Sequence, residues 1–184
     1  MKTERQKYIL KYEYDLFIKN SPEKYQLFWK VVAFGGLRIS EALLITANDI
    51  IYAENKILIT TLKRKNHPII PIIFPKDIIE ELRIYISGSM RKNLEVCGRI
   101  WKHSRQYAWK LFKSICKKAG LDTHYSPHSL RHFAGIMISD ITNGDIVQIQ
   151  RRLRHASIRS TEFYIHVSEK KQQQLSNSIE EYMK

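Results

Sequence analysis

Cysteine is scarce in this chain. There are two, Cys97 and Cys116, and neither sits in a CxxC pair. Neither a disulfide framework nor a zinc knuckle is therefore expected. No apolar run reaches membrane-spanning length, and the opening MKTERQKYIL lacks the apolar stretch of a signal peptide. A soluble, cytoplasmic protein is the default expectation. His128 and His132 lie four apart, but Arg131 between them would sit beside any bound cation, so no metal site is expected. Internal repeats and low-complexity linkers are also missing. Acidic side chains are the remaining shortage: 18 Asp and Glu against 31 Lys and Arg leave a formal net charge of +13. That excess favours a polyanionic partner such as nucleic acid or an anionic membrane surface, and says little about the fold.

What is present suffices for a core. At 184 residues and 43% hydrophobic content, the chain can form one domain, taken as residues 1–184. Residues 4–19 predict a helix with Ile9, Tyr12 and Leu16 on one stripe. Ser21-Pro22 predicts a helix start, Ser as cap and Pro in the first turn, with the helix running to Gly35-Gly36. A further helix is expected from about Leu37 to Thr46, closed by Asn48-Asp49. The β-branched runs IIYA, KILITTL and IIPIIF then predict a short three-stranded antiparallel sheet. Pro68 and Pro71 confine the third run to an edge. Helices resume near Lys76–Ile86 and after Ser104, where Ala108, Leu111, Phe112, Ile115 and Ala119 form an apolar face ended by Gly120. A C-terminal stripe of Leu175, Ile179 and Tyr182 predicts a docking helix. The expected class is α+β, mainly α-helical, with a small antiparallel sheet.

The helix after Ser104 carries a second pattern. Gln106, Lys110, Lys113 and Lys117 recur on the face away from the apolar stripe, with Arg105 at the helix start. A solvated face usually mixes charge signs. Here every charge is positive, which favours DNA phosphates.

Four further segments carry chemistry. In SPHSLRH, residues 126–132, Ser126 and Pro127 open a helix and set His128, Arg131 and His132 on one face near its N-terminus. The helix dipole favours an anion there, and Leu130, Ala134, Met137 and Ile141 form the opposite face. In GGLRISEALL, residues 35–44, the glycines permit a tight turn, Arg38 follows it, and Glu41 lies one turn on to hold Arg38. KRKNHP places Lys63, Arg64 and Lys65 at a hairpin tip. In LRHASIRSTEFYIH, residues 153–166, His155 precedes Tyr164 by nine residues. Each segment alone has an ordinary reading: a surface histidine cluster, an i, i+3 ion pair, a solvated turn, or one tyrosine among ten.

Together, in this order, they resemble the tyrosine recombinase family, which includes phage integrases and Xer-type recombinases. GLRISE resembles the first arginine motif, LKRKNHPIIPI the hairpin lysine motif, HSLRH the His-x-x-Arg motif, and LRHASIRSTEFYIH the closing motif. The resemblance covers about residues 28–168. It implies catalytic roles for Arg38, Lys63, His128, Arg131, His155 and the nucleophile Tyr164, with Glu41 and His132 in support. It also implies metal-independent cleavage and rejoining of double-stranded DNA through a 3′-phosphotyrosyl intermediate, with no cofactor. Homo-oligomers, tetramers on DNA, follow for a recombinase, and the C-terminal stripe could dock in trans.

The chemistry of these residue types agrees with those roles. Metal-free phosphodiester cleavage needs cations on the non-bridging oxygens, and two guanidinium forks supply paired hydrogen bonds. A phenol with a pKa near 10 is a poor nucleophile at neutral pH. It needs a cationic pocket and a base, for which His128 is the candidate. Lys63 can protonate the departing 5′-oxygen, and His155 can hydrogen-bond the scissile phosphate. Two departures stand out. Arg154 occupies the place of the family's glycine before His155, where it alters the turn or extends a basic run towards phosphate. The helical DNA-gripping domain that precedes the catalytic one in full-length members is expected to be absent. Two alternatives stay open: type IB topoisomerase-like cleavage and religation, and a DNA-binding regulator without catalysis.

Overall fold

A computed structural model describes residues 8–62, 66–91, 98–155 and 161, the side chains of 89–91 excepted. The chain divides into two compact units, Met1–Phe133 and Ala134–Lys184. The first holds α1 (Lys11–Asn20), α2 (Glu23–Gly35), α3 (Ile39–Ala42), β1 (Ile50–Ile51), β2 (Lys56–Thr60), β3 (Ile69–Ile73), α4 (Lys76–Arg91) and α5 (Arg105–Lys118). Helix α6 (Pro127–Ile141) begins in the first unit and ends in the second, which also holds α7 (Ile146–Leu153). The class is therefore the expected one, mainly helical with a small antiparallel sheet.

Helix α1 departs from its expected stripe. It starts at Lys11, where the Leu10 amide donates to Glu13 Oε2 at 2.8 Å. Tyr14 and Phe17 are its buried residues, whereas Tyr12 is 63% exposed and Leu16 40%. The buried pair is the one that meets aromatic neighbours. Tyr14 stacks on Phe133 with centroids 4.7 Å apart, and Phe17 meets Phe112 at 4.9 Å and Trp29 at 5.5 Å. Ser21 closes α1 instead of opening α2: its amide donates to Ile18 O at 3.0 Å and its hydroxyl to Phe17 O at 2.7 Å. Pro22 stands at the start of α2, as its fixed φ allows.

Phe28, Trp29, Val31 and Val32 of α2 have no exposed surface. Side chains of this size, fully buried, each contribute about 1.5–3 kcal/mol. Helix α2 stops where the sequence suggests. Gly36 adopts φ 55°, its amide donates to Ala33 O at 3.2 Å, and the Leu37 amide donates to Val32 O at 2.9 Å. This pair of bonds is a Schellman cap, which calls for the left-handed conformation. Gly35 is required for another reason: a Cβ there would fall 2.7 Å from Phe74 Cζ. The helix expected over Leu37–Thr46 is shorter, Ile39–Ala42, and short 3-10 turns at Ala47–Asp49 and Tyr52–Glu54 flank β1.

The sheet order is β1-β2-β3, antiparallel throughout. Pro71 lies opposite Leu58 on the edge strand β3, where a missing amide costs least. Thr61 extends the pairing past Thr60 and Ile69, donating from its amide at 3.0 Å and its hydroxyl at 2.8 Å to Pro68 O. Helix α5 begins as expected, with Ser104 Oγ accepting the Tyr107 amide at 3.1 Å. It buries Ala108, Phe112, Ile115 and Cys116, and Gly120 follows at φ 68°.

In the second unit, Ala134, Ile149 and Leu153 form a fully buried cluster, with Ile136 and Ile138 packed against it. The expected apolar face of α6 holds for Leu130 and Ala134 but fails at its end, where Ile141 is 74% exposed. Among the described residues, no helix is long and apolar enough to cross a membrane.

Candidate active site

The turn after α2 launches Arg38. Two residues beyond the Gly36 cap, its backbone enters α3, and its amide donates to Glu41 Oε2 at 2.9 Å. The guanidinium returns to the same carboxylate, Nη1 to Glu41 Oε1 at 2.7 Å. The Glu41 side chain has no exposed surface and that of Arg38 retains 20%, so a buried anion holds a cation at the rim. The i, i+3 spacing thus yields more than a surface ion pair: one carboxylate fixes both ends of Arg38.

Arg131 comes to the same turn from α6. It is 1% exposed, and its Nη1 donates to Gly36 O at 2.6 Å. The shared polar face expected for His128, Arg131 and His132 is accordingly split. Arg131 turns inward, while His128 is exposed and His132 half-buried, their rings 4.8 Å apart and nearly perpendicular. The start of α6 is tied by Ser129, whose hydroxyl accepts the Ser126 amide at 3.2 Å.

A cleft of about 520 Å³ opens here, lined by Arg38, Ser40, Arg105, Trp109, Ser126 and His128, with apolar neighbours including Leu37 and Leu62. Two expected catalytic residues, Arg38 and His128, therefore face one space. Arg105, expected on DNA, joins them. Trp109 had no role in the sequence reading.

The rest of the basic helix is not uniform. Gln106, Lys110 and Lys117 are exposed. Lys113 is half-buried and donates to Thr123 O at 2.6 Å and Tyr125 O at 2.5 Å, so its ammonium holds the following loop. Burial and its bonds to Glu13 push the Tyr125 phenol up from its ordinary pKa.

In the second unit, Asp145 caps α7 by accepting the amides of Val147 and Gln148, and the Gln148 side-chain amide, donating to Oδ2 at 2.9 Å, leads these bonds in holding its carboxyl below the usual range. At the other end, Arg154 stands at φ 54° in the left-handed region. Its amide donates to Arg151 O and the His155 amide to Gln150 O, both at 3.1 Å. This is the same Schellman cap as at Gly36, with an arginine where glycine would be unstrained. The arginine thus takes the conformation that glycine favours, and the strain is accepted. Arg154 is 4% exposed, and its Nη1 donates to Arg152 O at 2.8 Å. Burial and the neighbouring Arg154 charge lower the Arg152 pKa to about 10. His155 follows the cap, and its Nδ1 lies 3.0 Å from Oγ1 of the fully buried Thr161. A polar residue close behind a candidate histidine is the only sequence sign of Thr161. Lys63, Arg64, Lys65, Tyr164 and the stripe at Leu175, Ile179 and Tyr182 lie outside the described residues. Among the described residues, no group of three His, Cys, Asp or Glu is placed to hold a metal ion.

A helical fold with a small sheet, in which Arg131 is bonded to the turn that launches Arg38 and His128 shares a cleft with Arg38, invites comparison with known proteins. The chain matches the phage integrase family over residues 7–171 and belongs to it. It is 30% identical over 139 residues to the tyrosine recombinase XerD of Corynebacterium glutamicum, spanning 72% of this chain and 45% of that relative. Its fold is similar to that of the XerH site-specific recombinase bound to difH substrate in a pre-cleavage complex. That likeness has a TM-score of 0.72 and 21% identity, covering 89% of this chain and 51% of that one. The catalytic domain of bacteriophage HP1 integrase is also similar, with a TM-score of 0.66 and 19% identity over 89% of this chain and 91% of that domain. The chain thus spans less than half of the XerD relative and nearly the whole of the isolated HP1 domain. The family resemblance carried by the four motifs is borne out.

Proposed function

We propose that this chain is the catalytic part of a site-specific DNA recombinase, cleaving and rejoining double-stranded DNA through Tyr164. The observation that carries the reading is the convergence on one turn: Gly36 caps α2, launches Arg38 beside Glu41, and accepts Arg131. Arg38 and Arg131 bind the non-bridging oxygens of the scissile phosphate, and His128, in the cleft with Arg38, serves as base for the phenol. His155 hydrogen-bonds the phosphate, and Lys63 gives a proton to the leaving 5′-oxygen. Glu41 fixes Arg38, and His132 supports His128. The phosphorus–oxygen bond to the 5′-oxygen breaks as the bond to Tyr164 forms, leaving a 3′-phosphotyrosyl link and a 5′-hydroxyl. Attack by a 5′-hydroxyl reverses the step.

The basic excess supports duplex DNA as the partner, as does the likeness to a recombinase captured with its DNA. Arg64, Lys65, Arg105, Lys110 and Lys117 contact phosphates. The chain acts as one catalytic domain, in the cytoplasm, and assembles as homo-oligomers, tetramers during recombination. The test uses a pool of short duplexes, nicked within randomised flanks so that the cleaved fragment is lost and the adduct trapped. Wild type forms an SDS-stable protein–DNA adduct and Tyr164→Phe forms none. DNA binding with no wild-type adduct would instead favour a regulator without catalysis.

A further inference from the structure

Trp109 is 51% exposed, while the chain's other two tryptophans, Trp29 and Trp101, are 0% and 3% exposed. It lines the cleft beside Arg38, Arg105 and His128. An exposed indole within a concave, cationic surface is a candidate contact for a ligand with both apolar and anionic parts. Its own surroundings hold it in place. Lys113 Nζ lies 5.5 Å from the ring centroid, and that ammonium is tied to the carbonyls of Thr123 and Tyr125. Lys113 is thereby a brace for Trp109 more than a phosphate contact.

We infer that Trp109 is a positioning residue, packing its indole on the deoxyribose of a nucleotide flanking the phosphate held by Arg38. The inference rests on the DNA-cleavage reading and deepens it. A nucleotide's base face is covered by stacking in a duplex and must be extruded to meet a side chain. The sugar needs no such rearrangement: its C–H groups lie beside the phosphate and suit the negative face of an indole. Fixing the sugar fixes the phosphate relative to the arginines, and placement of that kind governs rate strongly.

The test has a readout apart from cleavage. The full chain carrying Tyr164→Phe is bound to the randomised nicked duplexes, and its tryptophan fluorescence is quenched with acrylamide. Trp29 and Trp101 are buried, so accessible quenching reports Trp109. DNA should lower quenching to the level of protein carrying both Tyr164→Phe and Trp109→Phe. The protection should be as strong on duplexes abasic at both nucleotides flanking the scissile phosphate, once its position has been mapped from the wild-type adduct. With Tyr164 intact, Trp109→Ala should slow adduct formation at sub-saturating DNA about tenfold, with Trp109→Phe recovering most of the rate. Lys113→Met should fall between, and the melting temperature of Trp109→Ala should stay near that of wild type, because the ring is half exposed. Unchanged quenching on DNA, or wild-type cleavage by Trp109→Ala, overturns the inference. Protection that vanishes on abasic duplexes overturns the assignment to the sugar. If wild type forms no adduct, the cleavage reading falls, and the quenching result still decides whether Trp109 meets DNA.

Discussion

Arg131 Nη1 and the carbonyl oxygen of Gly36 lie 2.6 Å apart, so the second arginine of the candidate site is bonded to the turn that launches the first. The two cations are ninety-three positions apart in sequence, Arg38 to Arg131, yet one peptide unit relates them. Arg131→Lys keeps a charge but loses the planar fork that can hold a carbonyl and a phosphate together. Adduct formation should fall about 100- to 1000-fold, the loss typical of one preorganised donor at a developing charge. Retention of wild-type rates in single-turnover assays would show that the fork is not needed.

Glu41 holds Arg38 at two points, so its charge and its backbone contact can be separated. Glu41→Gln leaves an acceptor for the Arg38 amide but removes the anion beside Nη1. We expect a stability loss of about 1–3 kcal/mol in urea unfolding, as for a hydrogen bond to a charged group. Adduct formation should slow as well, because Arg38 is no longer fixed.

Arg154 occupies a left-handed turn, φ 54°, that favours glycine. Arg154→Gly and Arg154→Ala both remove the side chain and its bond to Arg152 O, so their difference isolates the backbone. The glycine variant should be the more stable by about 1 kcal/mol in thermal or denaturant unfolding. Equal stabilities would mean that the turn relaxes when the arginine is removed.

Thr161→Val removes the hydroxyl that meets His155 Nδ1 at 3.0 Å while keeping the branched shape. A histidine that loses such a partner loses its fixed tautomer and orientation. Adduct formation should slow about tenfold, within the range for proton-transfer and orienting contributions. A variant with the wild-type rate would leave Thr161 a packing residue only.

Tyr125 donates to both carboxylate oxygens of Glu13, at 2.9 and 3.0 Å, and its folded pKa is raised by burial and by that partner. The unfolded phenol ionises near pH 10. The stabilisation from a protonated Tyr125 is therefore fully present below about pH 10 and is lost as pH rises further, because only the unfolded chain releases the proton. Tyr125→Phe should flatten the alkaline fall in stability and lower stability at neutral pH by about 1 kcal/mol or more. An identical alkaline slope in the variant would remove Tyr125 from that account.

Much of this was legible in residue order. Ser104, Gly120, Gly36 and the β-branched runs act locally, through capping, positive φ and period-two alternation, and each stands where its pattern placed it. The failures are those where packing chooses among local options. Tyr14 and Phe17 displaced Tyr12 and Leu16 from the core because aromatic neighbours from α2, α5 and α6 reward burial on that side. Ser21 spent its hydroxyl on the helix before it. In the site, spacing put Arg38 beside Glu41 and His128 near His132, since those pairs lie within one helical turn. It could not put Arg131 on Gly36, Thr161 on His155, or Trp109 in the cleft with Arg38, because those meetings are tertiary. Lys113, expected on DNA phosphates from its helical face, is instead held by the carbonyls of Thr123 and Tyr125.

The central claim is that Tyr164 breaks the DNA strand and keeps its 3′ end. Protease digestion of the wild-type adduct, followed by mass spectrometry of the nucleopeptide, tests it most directly, with the released strand assayed for labelling by a 5′-kinase. The account predicts nucleotide mass on the peptide containing Tyr164, attached through a 3′-phosphate, and a released 5′-hydroxyl that accepts label. Nucleotide mass on any other residue, or a released strand ending in a 5′-phosphate, would contradict it.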